Sequence, residues 1–169
     1  MIAERRRFGI WLLLSLAWML LIFYKSGQSY GEQDLRPLLR QWIEEPTLLL
    51  VLPNIEFLYD GGLVSYQDPY SMLEFFIRKA AHVTEYFILA FLLWRTFAAT
   101  TVRQVSALIL TALLSILYAA SDEWHQSFVP GRTGHAIDVY VDSIGVFLVV
   151  LLALFFRSGR SKRQKTLSR

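Results

Sequence analysis

The chain has 169 residues, 54% of them hydrophobic and only 18% charged, with a net charge of +3 and a mean hydropathy of +0.39. That balance is too apolar for an ordinary soluble domain, and the length leaves no room for a second domain beside a membrane bundle. Cysteine is absent, which excludes disulfides, thiolate nucleophiles and Cys-ligated zinc.

A bilayer core of about 30 Å takes roughly 20 helical residues, and four stretches approach that requirement. The first span is placed at about 8–24, FGIWLLLSLAWMLLIFY, behind Arg5, Arg6 and Arg7. A basic stretch before an apolar one also describes a signal peptide. This one is long, holds Trp11 and Trp18, and is followed by KSGQSYGE instead of a small-residue cleavage site, so it reads as an uncleaved anchor. The other spans are placed at about 75–97, 105–120 and 137–156, with a basic tail over 157–169. The expectation is an all-α, four-span membrane protein, one domain over residues 1–169.

Basic residues then set the orientation. Arg5–Arg7, Arg95, Arg103 and the tail residues Arg157, Arg160, Lys162, Arg163, Lys165 and Arg169 all fall on one side of a four-span chain. The positive-inside rule makes that side the cytoplasm and puts both termini there. The long connection from Lys25 to Phe76 carries Glu32, Asp34, Glu44, Glu45, Glu56, Asp60, Asp68 and Glu74, so it faces outward. The basic tail serves as a topology determinant, and no nucleic-acid module is visible.

Within the outer connection, Leu35, Leu38, Leu39, Trp42 and Ile43 recur at helical spacing, which predicts a short amphipathic helix in the outer interface. The apolar run before Pro53 is too short to span. Asp60-Gly61-Gly62 is a turn signal, and Ser71-Met-Leu-Glu74 has the form of a capping box at the start of the second span.

Polar residues converge on the outer end of this bundle. Lys79, His82, Glu85 and Tyr86 share one face of the second span. Asp122, Glu123 and Gln126 lie at the outer end of the third. Val129-Pro130-Gly131-Arg132 suits a tight turn. Asp138 and Asp142 follow on the fourth span, Asp142 roughly 6 Å deeper at one helical rise per residue. Ionisable groups at such depth point to a functional site.

These residues also carry a resemblance. RKAAHVTEY at 78–86, SDEWHQSFVPGRTGHAIDVYVDSIG at 121–145 and YKSGQS after the first span together resemble the VanZ-like family, and the likeness runs from the first span to the end of the fourth. That family is named for a protein associated with low-level resistance to teicoplanin, a glycopeptide antibiotic. The resemblance implies a role at the cell envelope and points towards chemistry on lipid head groups.

The chemistry of the residue types is consistent with such a substrate. His82 is the natural general base or nucleophile, with Glu85 or Asp138 holding its other nitrogen, and Glu123 is a candidate acid for a leaving group. His82, Glu85, Asp122, Glu123 and Asp138 are therefore the candidate catalytic residues. Lys79, Gln126, Arg132 and Asp142 are the candidate substrate-binding residues, Arg132 and Lys79 towards phosphate oxygens. Carboxylates at Glu85, Asp122, Asp138 and Asp142 alternatively suit Mg²⁺ or Ca²⁺, and His82 with His125 and a carboxylate suits zinc. The competing architectural reading pairs Glu85 and Asp142 with Lys79 and Arg132 merely to hold helix register. His125 and His135 are read as interfacial loop residues.

The expected function is modification of a lipid or lipid-linked phosphate head group at the outer leaflet of the plasma membrane, with a membrane lipid or lipid-linked envelope precursor as partner. The alternative is a non-catalytic membrane protein that binds lipid, envelope precursor or partner and alters drug access. An ion-coupled transporter is disfavoured because no clear charge lies in the inner half of a span.

Overall fold

The computed structural model describes residues 2–167, with side chains described over 2–156; the basic tail's side chains lie outside the described residues. Four long helices carry the fold: α1 (Ile2–Ser26), α5 (Pro69–Ala98), α6 (Gln104–Gln126) and α7 (Ala136–Leu167). Between α1 and α5 come three short helices, α2 (Tyr30–Gln33), α3 (Arg36–Trp42) and α4 (Glu45–Val51), then strands β1 (Glu56–Tyr59) and β2 (Gly62–Ser65).

Helices α1 and α6, and α7 over Ala136–Phe156, are long and apolar enough to cross a membrane, with mean hydropathies of 1.8, 1.8 and 2.5. Helix α5 is longer, at 30 residues, but is not among these three. It carries Glu74, Arg78, Lys79, His82, Glu85 and Arg95, which lower its average. The outward faces of the apolar helices present exposed Leu13, Leu20, Leu117, Leu151 and Phe155. Such an apolar exterior is what lipid, and not water, tolerates.

Helix α5 is the central element, packing on α7, α1 and α6. Its inner face supplies Tyr86, Leu89, Ala90 and Leu93 to a core completed by Ile22, Ala119, Val146 and Val149. Three polar contacts inside this packing join one helix to another. The Ser15 and Thr96 hydroxyls lie 3.1 Å apart, Trp18 Nε1 donates to Glu85 O at 2.9 Å, and Tyr118 OH donates to Met19 O at 2.6 Å. In an apolar surround such bonds fix helix register. At Gly145 an added Cβ would strike Val83 O and lie 2.7 Å from Phe87 N. The missing side chain therefore sets how closely α7 approaches α5.

The outer connection departs from the all-α expectation. Asp60-Gly61 forms a turn, as its composition predicts, and the turn joins two antiparallel strands with Tyr59 opposite Gly62 and Glu56 opposite Ser65. Both turn residues take positive φ, +48° at Asp60 and +82° at Gly61. Two consecutive left-handed residues match the right-handed twist of a two-residue hairpin. Leu38 and Trp42 on α3, and Leu50 and Val51 on α4, are exposed.

The capping box expected at Ser71–Glu74 is not formed. Asp68 caps α5 instead, accepting from Ser71 N at 3.3 Å, with Pro69 in the first turn. Glu74 turns away to accept from Tyr30 OH at 3.0 Å and from Leu35 N at 3.3 Å. Proline fits the first helical position because its lost N–H would be unsatisfied there anyway, so the helix begins two residues before Ser71.

Candidate functional site

The three polar sets do meet, and the partners differ from those that spacing alone brings to mind. His82 Nδ1 lies 3.0 Å from Asp142 Oδ1, with the Asp142 side chain fully buried. Asp142, read from sequence as a substrate-binding group, is therefore the residue that holds the imidazole. Glu85 and Asp138, the candidates for that place, are engaged elsewhere. Glu85 pairs with Lys25, and Asp138 is shared by Lys79 and the Tyr59 hydroxyl. The pairing of Glu85 and Asp142 with Lys79 and Arg132 is not formed.

Helix α6 ends with Asp122, Glu123 and Gln126 buried. Gln126 Nε2 donates to Asp122 Oδ2 at 3.0 Å, and Glu123 Oε2 accepts from His135 N at 3.0 Å. The loop closes tightly over Glu123: a Cβ on Gly134 would strike the Glu123 carbonyl oxygen. Gly131, at φ +74°, makes the turn expected of Val129–Arg132, with Arg132 N donating to Val129 O at 3.1 Å.

That turn sends Arg132 back across the end of α1. Its Nη1 donates to Ser26 O at 3.3 Å, Gln28 O at 3.5 Å and Gln33 Oε1 at 3.4 Å. Burial lowers its pKa from the ordinary arginine value, and Arg78 nearby adds to the effect. Tyr59, on the hairpin, is pushed the other way: burial raises its phenol pKa, with the hydrogen bond to Asp138 second. Burial disfavours the charged phenolate, and the bond to Asp138 holds the neutral, donating form.

A pocket of about 230 Å³ opens between these elements. Among its lining groups are His82, Glu85, Asp122, Gln126 and Arg132 of the predicted set, together with Lys25, Ser26, Gln33 and Arg78. Lys79, Asp138, Glu123 and Asp142 do not line it. Lys25, Arg78 and Tyr59 are participants that the sequence reading did not assign. Arg78 stands next to Lys79 in the same charged run, a signal open to use; nothing local marks Tyr59. His125 is held against α1, stacked on Phe23 at 4.2 Å with Nδ1 3.1 Å from Ser26 Oγ. His135 pairs with Asp60 at the hairpin tip.

His82, Glu123 and Asp142, from three different helices, each offer a ligand atom within 4.8 Å of the other two. Asp142 Oδ2 and Glu123 Oε1 are buried without a hydrogen-bond partner among the described residues. One imidazole nitrogen and two carboxylate oxygens are a donor set that suits a divalent cation. The same three groups, without a cation, are a hydrogen-bonded base and a nearby acid.

Neither a curated protein nor a solved structure matches the chain. A family model does match, that of VanZ/LLP1, over residues 11–157. It takes in α1 after its first turns, the hairpin and every polar residue of the site, so this membrane-type helical chain belongs to the VanZ/LLP1 family.

Proposed function

We propose that this chain is a multi-pass plasma-membrane protein that cleaves or transfers the phosphate ester of a lipid or lipid-linked head group at the outer leaflet. The observation that carries the reading is the His82–Asp142 bond beside a pocket whose other walls bear Arg78 and Arg132. With Nδ1–H donated to Asp142, Nε2 keeps its lone pair. It takes the proton of a water or acceptor hydroxyl as that oxygen attacks phosphorus. The proton then passes from the imidazolium through pocket water to the departing oxygen, since Glu123 does not line the pocket, and Asp142 steadies the positive charge on the imidazole meanwhile. Glu85 and Asp138, bound to lysines, hold the walls in place.

In this reading α5 supplies the fourth span. Its inner half, from Tyr86 to Trp94, is apolar, and its polar outer half faces the other helices. Arginines before α1 and around the α5–α6 connection support a topology with both termini in the cytoplasm and the pocket outside. Altered head groups at that surface would change susceptibility to a glycopeptide such as teicoplanin.

The test compares lipid extracts by mass spectrometry from cells without the protein, with it, and with His82→Gln. A head-group change present only with the intact protein is the expected result. Three identical lipid profiles would reject it. A changed drug response that survives His82→Gln would assign the chain to the non-catalytic class instead.

A further inference from the structure

We infer that Arg78 and Arg132 form a two-guanidinium clamp for a terminal, doubly charged phosphate carried by an amphiphilic molecule. The inference rests on the proposed action on phosphate head groups and narrows it, from any phosphate ester to a monoester or diphosphate.

Several cations at or near the site are already neutralised. Lys79 pairs with Asp138, and Lys25 pairs with Glu85. Arg36, which shares the Tyr30 ring with Arg78, is bound by Asp34 at 2.8 Å and faces Glu74 at 3.5 Å. Arg78 and Arg132 have no carboxylate within ion-pair distance among the described residues. Arg78 rests on Tyr30 at 5.0 Å from the ring centroid, a contact that orients a guanidinium without cancelling its charge. Arg132 spends a single nitrogen, Nη1, on its three neutral acceptors. Its Nε and Nη2 remain for a fork-like contact.

Both residues line one pocket. Two like charges held together there raise the free energy of the empty site, and an anion between them lowers it. A terminal phosphate carries about −1.5 to −2 and offers oxygens in the spacing that guanidinium groups match bidentately. A phosphodiester carries one charge and has two of its oxygens esterified. Asp122 lines the same pocket with one oxygen held by Gln126; its carboxylate repels any anion, so the two guanidinium groups must act together to outweigh it. Ile22, Leu35 and Ile77 supply the apolar wall for the rest of the molecule.

The experiment uses the full chain in detergent and isothermal titration with three probes: dihexanoyl phosphatidic acid, dihexanoyl phosphatidylglycerol and inorganic phosphate. Phosphatidic acid should bind about tenfold or more tightly than either of the others. Arg78→Gln and Arg132→Gln should each weaken it by about tenfold or more, Arg78→Lys by less, and Arg103→Gln not at all. Thermal unfolding of Arg78→Gln at the wild-type temperature shows that the loss is not a folding defect. Lipid profiles from cells report the proposed chemistry separately, so that a failure of that chemistry with binding intact is told apart from a failure of the clamp. Equal affinity for phosphatidylglycerol, equal affinity for inorganic phosphate, or Arg78→Gln binding like wild type would each overturn the inference.

Discussion

His82 on α5 and Asp142 on α7 are bonded at 3.0 Å through Nδ1 and Oδ1, and the aspartate has no contact with solvent. Replacing Asp142 by Asn keeps the shape but removes the charge that orients and supports the imidazole. Turnover of the head group should fall by about 10²- to 10⁴-fold. The protein should still accumulate in the membrane, as measured by immunoblot beside the lipid profile. Full activity in Asp142→Asn would remove His82 from the role of base.

The Lys79–Asp138 pair should behave in the opposite way. Asp138→Leu alone strands a mostly buried ammonium, which costs about 3–5 kcal/mol and lowers the amount of folded protein. The double change Lys79→Met with Asp138→Leu should recover both level and activity, because an apolar pair can replace a structural ion pair. Recovered level with no activity would return Asp138 to the reacting groups.

Chelation distinguishes the two uses of the His82, Glu123 and Asp142 cluster. If the imidazole itself is the base, EDTA treatment of the purified protein leaves turnover within about twofold, since no step then depends on a bound ion. Activity lost on chelation and restored by Mn²⁺ or Zn²⁺ would assign those three groups to a cation.

Gly145→Ala tests the helix contact that brings His82 and Asp142 together. The new methyl meets Val83 O and Phe87 N, both backbone atoms that cannot swing aside. The expected cost is about 1–3 kcal/mol, read as a lower thermal midpoint in detergent, with activity falling further than stability alone explains. An unchanged midpoint would mean that α7 does not pack on α5 as described.

Topology is checked with a reporter active only outside the cytoplasm. Fusions after Gly61 or Gly134 should be active and a fusion after Thr100 silent. Activity at Thr100 would invert the protein and put the pocket on the cytoplasmic side.

Much of the helical framework was legible because membrane-length apolar runs and basic flanks are strong, local signals. The convergence of His82, Asp122 and Asp142 followed from placing those runs side by side. Which charge meets which did not follow. Spacing puts Lys79, His82 and Glu85 on one face, but a partner on another helix depends on rotation and distance, and the close approach of α7 to α5 at Gly145 is part of what sets them. Arg78 and Lys79 differ by one position, about 100° around a helix, so the neighbour of an expected phosphate ligand lines the pocket while the ligand itself is tied to Asp138. The strands were missed for a further reason. Glu56–Tyr59 and Gly62–Ser65 are only four residues each, too short for alternation to stand out beside a turn.

That hairpin has little to hold it on its own, since two isolated strands are marginal in water. Its anchors are Tyr59 on Asp138, Asp60 on His135, and Phe57 and Tyr59 against Phe75; Phe75 and Asp138 belong to α5 and α7, and His135 to the connection just before α7. Its order therefore depends on α5 and α7 being docked. Its amide protons thus act as a built-in gauge, and their exchange with deuterium reports the opening of the helical bundle beneath.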